Sequence, residues 1–166
     1  MSITVILDDI RSTYNVGAIA RTLDAVGGGR IICAGITPYP YLGPGDDRSP
    51  VVISANNKAI QKTALGADAT VDFAHAADVD AALELLPEGT QTFALEQDDR
   101  SIELFDLKHA AKDVALLLGS ETRGITEETL ERCDAIIEIP QYGEKESLNV
   151  SVAAGIALYH LRRAQP

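Results

Sequence analysis

The chain alternates short, apolar, β-rich runs with stretches of helical period, and that alternation restricts it to an α/β fold on a mostly parallel sheet. The runs at 2–7, 30–34, 69–73, 90–95, 114–118 and 135–139 are predicted strands. Val-Ala-Leu-Leu-Leu at 114–118 has no two-residue alternation, which marks a strand covered on both faces, so helices are expected on both sides of the sheet. Helical period predicts helices over 16–26, 55–65, 77–86, 127–132 and 148–163. In the first, Val16, Ile19, Leu23 and Val26 form a buried stripe, Asn15 is a candidate N-cap and Gly27-Gly28-Gly29 is a stop. The fourth follows Thr126, with Glu127 and Glu128 where the helix dipole favours negative charge. Residues 37–50 carry four prolines and two glycines and read as a surface loop. At 166 residues and 46% apolar composition, one domain over 1–166 is expected.

Several function classes fall away at once. The N-terminus, MSITVILDD, has neither the basic start nor the apolar length of a signal peptide, and no stretch approaches the ~20 apolar residues that span a bilayer. A cytoplasmic protein without a membrane partner is expected. Cys33 and Cys133 stand far apart, and His75, His109 and His160 have no ligand spacing, so no metal site is expected. There is no G-x-x-x-x-G-K-[ST] phosphate loop and no G-x-G-x-x-G after the first strand, which disfavours Rossmann dehydrogenases and Rossmann methyltransferases.

Three segments carry polar residues that a packed core does not need. Arg21 lies about 200° around the first helix from Ile19, off the buried stripe, where a solvated arginine is the ordinary alternative. LLLGSETRGIT runs from a buried strand straight into Gly119, and loops at the carboxyl ends of parallel strands form ligand crevices; the ordinary alternative is a simple connection to the next helix. IPQYGEKESLNVSVAAGIALYHLRR gathers Ser147, Asn149 and Ser151 near the start of the last helix, where free backbone N–H groups can meet anionic oxygens. Ser147 is a candidate N-cap there, while Asn149 has poor helix propensity. That helix is apolar nearly all round, from Leu148 and Val150 to Leu158 and Leu161, which predicts burial by the core and by a second subunit.

Taken in order, Asn15-Val-Gly-Ala-Ile-Ala-Arg21-Thr, Leu118-Gly-Ser-Glu121-Thr-Arg-Gly124, and Ile139-Pro140 followed by Ser147-Leu-Asn149-Val-Ser-Val-Ala-Ala-Gly155 resemble the SpoU/TrmH-type RNA 2′-O-methyltransferases of the SPOUT superfamily. The resemblance implies an α/β domain with a C-terminal trefoil knot, an architecture that general folding rules would never suggest. It implies S-adenosylmethionine as cofactor, held around Leu95, Glu96, Gly119, Ile139 and Leu148. It implies that Arg21, Asn15, Glu121, Ser147 and Asn149 form the catalytic site, and that the enzyme is a homodimer in which one subunit's arginine faces the other's cofactor. A guanidinium is a poor proton acceptor, so orienting the hydroxyl and stabilising charge are the roles expected of Arg21.

Fourteen basic against twenty-five acidic residues give a net charge of −11, unfavourable for a protein that approaches a polyanion. Arg11, Arg48, Arg123 and Lys145, all in or near the motif loops, are the expected phosphate contacts beside Arg21. No separate RNA-binding domain is expected, and structured tRNA is preferred over rRNA as the substrate. The alternatives are a knotted module that binds cofactor or RNA without methylating, and an α/β enzyme acting on a small metabolite.

Overall fold

Seven parallel strands form one sheet in the computed structural model, which describes residues 2–166. In chain order they are β1 (Ser2–Asp8), β2 (Arg30–Ala34), β3 (Asp72–Ala76), β4 (Gln91–Leu95), β5 (Ile102–Glu103), β6 (Asp113–Leu118) and β7 (Ala135–Glu138). Their spatial order is β3-β2-β1-β6-β4-β7-β5. The helices are α1 (Thr13–Ala25), α2 (Pro50–Ala64), α3 (Val79–Glu84), α4 (Glu127–Leu130) and α5 (Val150–Ala164).

Burial on both faces explains the unalternated strands. Ile31, Val5, Leu116 and Phe93 stand side by side in register across four strands and pack under α1, α2 and α5. The next row, Ile32, Ile6, Leu117, Ala94 and Ile136, faces the opposite way under α3 and α4. The α1 stripe of Val16, Ile19, Leu23 and Val26 is buried as the period requires. Gly17 allows α1 and α2 to touch, because a Cβ there would overlap the Ile60 carbonyl and the Thr63 hydroxyl.

Several boundaries differ from the sequence expectation. The third strand is Asp72–Ala76, not 69–73; Ala67–Ala69 is a 3-10 turn that precedes it. The second helix begins at Pro50, five residues early, because Ser49 caps it by accepting from the Val52 N–H and proline suits the first helical turn. The third helix is only Val79–Glu84, capped by Asp78. Asn15 does not cap the first helix; Ser12 does, accepting from the Asn15 N–H, so the helix starts at Thr13. Ser147 does not cap the last helix either; Asn149 does, and Ser147 and Leu148 lie in the loop before it. The first correction frees the Asn15 side chain from capping, and the second makes Asn149 the cap of α5.

Candidate active site

In a parallel sheet all carboxyl ends lie on one edge, and here the β4, β6 and β7 ends open into two adjoining clefts of about 540 and 90 Å3. Leu95 and Glu96 leave β4, Gly119 leaves β6, Ile139 leaves β7, and Leu148 closes from the loop before α5. All five expected cofactor residues line these clefts, with Ser147 shared by both. Because β4 lies between β6 and β7, the strand order gathers three loops that are far apart in sequence.

A directed chain of hydrogen bonds ties the three motif segments at the rim. The Ser151 N–H and hydroxyl donate to Asn149 Oδ1 at 2.9 and 2.6 Å, Asn149 Nδ2 donates to Asn15 Oδ1 at 3.3 Å, and Asn15 Nδ2 donates to Glu121 Oε1 at 2.9 Å. An ionised carboxylate only accepts, so Glu121 sets the direction of the whole chain. Glu121 and Asn149 also line the larger cleft. Asn149→Ala removes a cap and a link together: a loss of about 1 kcal/mol, or ~2–4 °C in Tm, is expected. Asn149→Asp keeps the cap but cannot donate to Asn15, so its Tm stays within about 1 °C of wild type while activity falls roughly tenfold. Melting curves run in parallel with an activity assay separate the two effects.

Glu96 holds the cleft wall: Oε2 accepts from the Ile125 N–H at 2.9 Å and Oε1 from the Gln97 N–H at 3.0 Å. Gly124, in the left-handed region at φ 64°, leaves room for this carboxylate, since a Cβ there would meet Glu96 Oε2 at 2.5 Å. Gln97, which no sequence motif marks, donates to the Glu146 carbonyl at 2.6 Å and pins the 140–148 loop across the cleft. Gln141, which was not singled out in the sequence, and Ala153, which lies within the third segment, also line the clefts. Residues so far apart in the chain meet only through the strand order.

Arg21 stands apart. It is six positions on from Asn15, about 9 Å along α1 and roughly 240° around it, and it lines neither of these clefts. It lies instead in a groove with Lys62, Thr63 and Tyr159. Of the expected phosphate contacts, Arg48 is a correction. Its guanidinium donates to the Tyr39 and Pro40 carbonyls at 2.8 and 2.9 Å, pairs with Asp46 at 2.6 Å and stacks 3.5 Å over the Tyr39 ring. With its side chain only 15% exposed, it braces the 37–50 loop rather than meeting a ligand. The same pairing holds the Asp46 carboxyl well below the usual carboxylate range. Arg123 is exposed but pairs with Asp9. Arg11 and Lys145 are exposed on the cleft edge of the sheet and have no ion pair among the described residues.

Neither cysteine offers a nucleophile. Burial pushes the Cys33 thiol far up and that of Cys133 up to about 11, where Asp134 adds to the effect. No group of acidic, histidine or cysteine side chains suited to a metal occurs among the described residues, and no helix is long and apolar enough to cross a membrane.

Residues 49–159 match the model of the SpoU rRNA Methylase family. The chain belongs to this family. It is 32% identical over 158 residues to the 23S rRNA (guanosine-2′-O-)-methyltransferase RlmB of Bordetella pertussis, covering 95% of this chain and 58% of that protein. An rRNA methyltransferase from Sinorhizobium meliloti, solved with AdoMet bound, superposes with a TM-score of 0.78 at 28% identity over 98% of this chain and 56% of that one. A structure described as giving insight into 2-OH methylation of C/U34 on tRNA superposes with a TM-score of 0.74 at 27% identity, covering 98% of this chain and 95% of that one. The chain spans about half the length of the curated relatives it matches, 46% of one and 58% of another. The Ser151–Asn149–Asn15–Glu121 chain joins the three segments singled out in the sequence, and the second and third of them lie within the matched residues 49–159.

Proposed function

We propose that this chain transfers a methyl group from S-adenosylmethionine to a ribose 2′-hydroxyl of RNA. The observation that carries this reading is the hydrogen-bonded chain from Ser151 to Glu121, which joins the three family segments at the mouth of one cleft. The cleft suits the cofactor: its walls are main chain at three strand ends, with the apolar side chains of Leu95, Ile139 and Leu148 beside the polar groups of Ser147, Glu121 and Asn149. When bound, the cofactor supplies an already activated methyl sulfonium, so the protein's task is placement.

Each residue then has a physical task. Glu96 and Gln97 hold the loops that shut water from the cleft. Glu121, Asn15 and Asn149 keep the rim rigid, and Asn15 is near the target nucleotide in this reading. Arg21 orients the ribose hydroxyl and stabilises charge that develops there. Because Arg21 lines neither cleft of its own chain, the reading includes a homodimer in which it serves the partner's cleft. The α5 surface supports that arrangement: Ala154, Ala157, Leu158 and Leu161 are buried, while Val152 and Tyr159 remain 51% and 54% exposed. The trefoil knot belongs to the same reading, supported by β6 and β7 flanking β4. A catalytic domain in the cytoplasm acting on structured tRNA completes it, and the likeness to a structure described for tRNA methylation supports the tRNA preference.

Purified protein with methyl-labelled S-adenosylmethionine is expected to label tRNA, with one 2′-O-methyl nucleotide found by mass spectrometry. Labelling of rRNA alone would remove the tRNA preference. Binding of cofactor and RNA without any transfer would favour the non-catalytic module instead.

A further inference from the structure

Lys62 lies beside Arg21 on a groove that none of the three motif segments points to. The groove, about 450 Å3, is lined by Ala18, Arg21, Thr22, Lys62, Thr63 and Tyr159 among others, and no carboxylate is part of its wall. The chain as a whole carries twenty-five acidic against fourteen basic residues. Several cations elsewhere are drawn into ion pairs: Arg30 with Asp72, Arg48 with Asp46, Arg100 with Asp98 and Glu127, Lys108 with Asp106, Arg123 with Asp9, Arg132 with Asp80. Arg21 and Lys62 have no ion pair among the described residues. Asp24, one turn along α1 from Arg21, accepts instead from the Thr70 hydroxyl at 2.6 Å.

The ammonium lies close to Tyr14. Lys62 Nζ lies 3.5 Å from the Tyr14 hydroxyl and 5.8 Å over the Tyr14 ring, and the neighbouring Thr63 hydroxyl donates to the Tyr14 carbonyl at 2.9 Å. Tyr14 precedes Asn15 on α1, so the groove and the rim of the cleft are joined through one helical turn. An ammonium has three donors and only one faces Tyr14, so two remain for an anion.

We propose that Lys62 and Arg21 together bind a phosphodiester of the RNA strand next to the target nucleotide. This rests on the RNA methyl-transfer reading above and adds a contact that the motif residues do not contain. Two cations without an ion pair in one acid-free groove match a phosphate, and the exposed ring of Tyr14 beside them suits an unstacked base. The groove also answers the charge problem: repulsion from a net charge of −11 is offset locally, within the ~8–10 Å over which charges act at physiological salt.

The test compares wild type with Lys62→Gln, Lys62→Arg and Lys58→Gln, using a tRNA transcript at several stated salt concentrations. Lys58 lies one turn away on α2, outside this groove. In Lys62→Gln, KM for RNA is expected to rise roughly five- to tenfold with kcat within about twofold of wild type, and the slope of log K against log salt becomes shallower by about one. Lys62→Arg restores both, Lys58→Gln changes neither, and cofactor affinity is unaltered throughout. Unchanged KM and slope in Lys62→Gln, an equal loss in Lys58→Gln, or a fall in kcat alone would each overturn the proposal. So would a monomeric Lys62→Gln in sedimentation, which would make the lysine an interface residue. If the wild type binds RNA through Lys62 but transfers no methyl group, the groove stands and the catalytic reading falls.

Discussion

Arg21→Ala is expected to lower methyl transfer by at least about a hundredfold while cofactor affinity stays within about twofold. Removing one well-placed donor to developing charge costs ~10²–10³ in rate in comparable sites, and five N–H donors leave with this side chain. Cofactor binding is spared because Arg21 lines neither of the clefts at the strand ends. The fold is spared too, since the side chain is exposed and off the buried stripe of α1. Arg21→Lys keeps the charge but loses the planar fork, and recovers only part of the activity. Mixing Arg21→Ala with an equal amount of a cleft-defective chain tests the dimer as well: if one arginine serves the partner's cleft, the mixture regains about a quarter of the wild-type rate per chain. Full activity in Arg21→Ala would remove the central residue of the reading.

Gly119→Ala is the second large effect, and it acts on the cofactor rather than on the hydroxyl. Read as sequence, Gly119 is there to let a ligand approach the backbone. The structure adds a stricter reason: a Cβ at 119 would lie 2.6 Å from the Gly124 carbonyl carbon, 2.6 Å from Ile125 Cγ1 and 2.7 Å from the Gly124 oxygen. Two of these are backbone atoms in a tight loop closed by the Gly124 N–H to Ser120 O bond at 2.8 Å, so no side-chain rotation relieves the clash. The 119–125 segment must move, taking Glu121 from Asn15 and the Ile125 N–H from Glu96. Cofactor affinity is expected to fall by at least about a hundredfold, through loss of several hydrogen bonds at once. The sheet should survive, because β6 ends at Leu118 and its register with β1 and β4 lies before the altered residue. Calorimetric titration with S-adenosylmethionine and a melting curve decide it; wild-type affinity in Gly119→Ala would mean that the cleft is not the cofactor site.

The element types were legible in residues because burial imposes a period. Val114 to Leu118 and the stripe from Val16 to Val26 could be read directly. Boundaries were less legible where caps compete. Ser12 and Asn15 both suit an N-cap, as do Ser147 and Asn149, and local propensity favoured the wrong member each time. The choice was made by distant partners: Asn15 is needed by Glu121 and Asn149, which lie 106 and 134 residues away. Arg48 failed for a related reason. Its loop position suggested a free cation, but Asp46 two residues earlier and the Tyr39 ring turn it inward.

Residue pattern alone therefore determined the α/β class, the buried helix faces and, through three ordered segments, the resemblance to SpoU methyltransferases, since periodicity and motif order are properties of the linear chain. Tertiary structure alone decided which polar residues meet. The placing of β4 between β6 and β7 gathers Glu96, Glu121, Ser147 and Asn149 around one cleft, whereas the turn of α1 carries Arg21 away to Lys62. Strand order and helical phase act over distances in space that no local signal in the chain encodes.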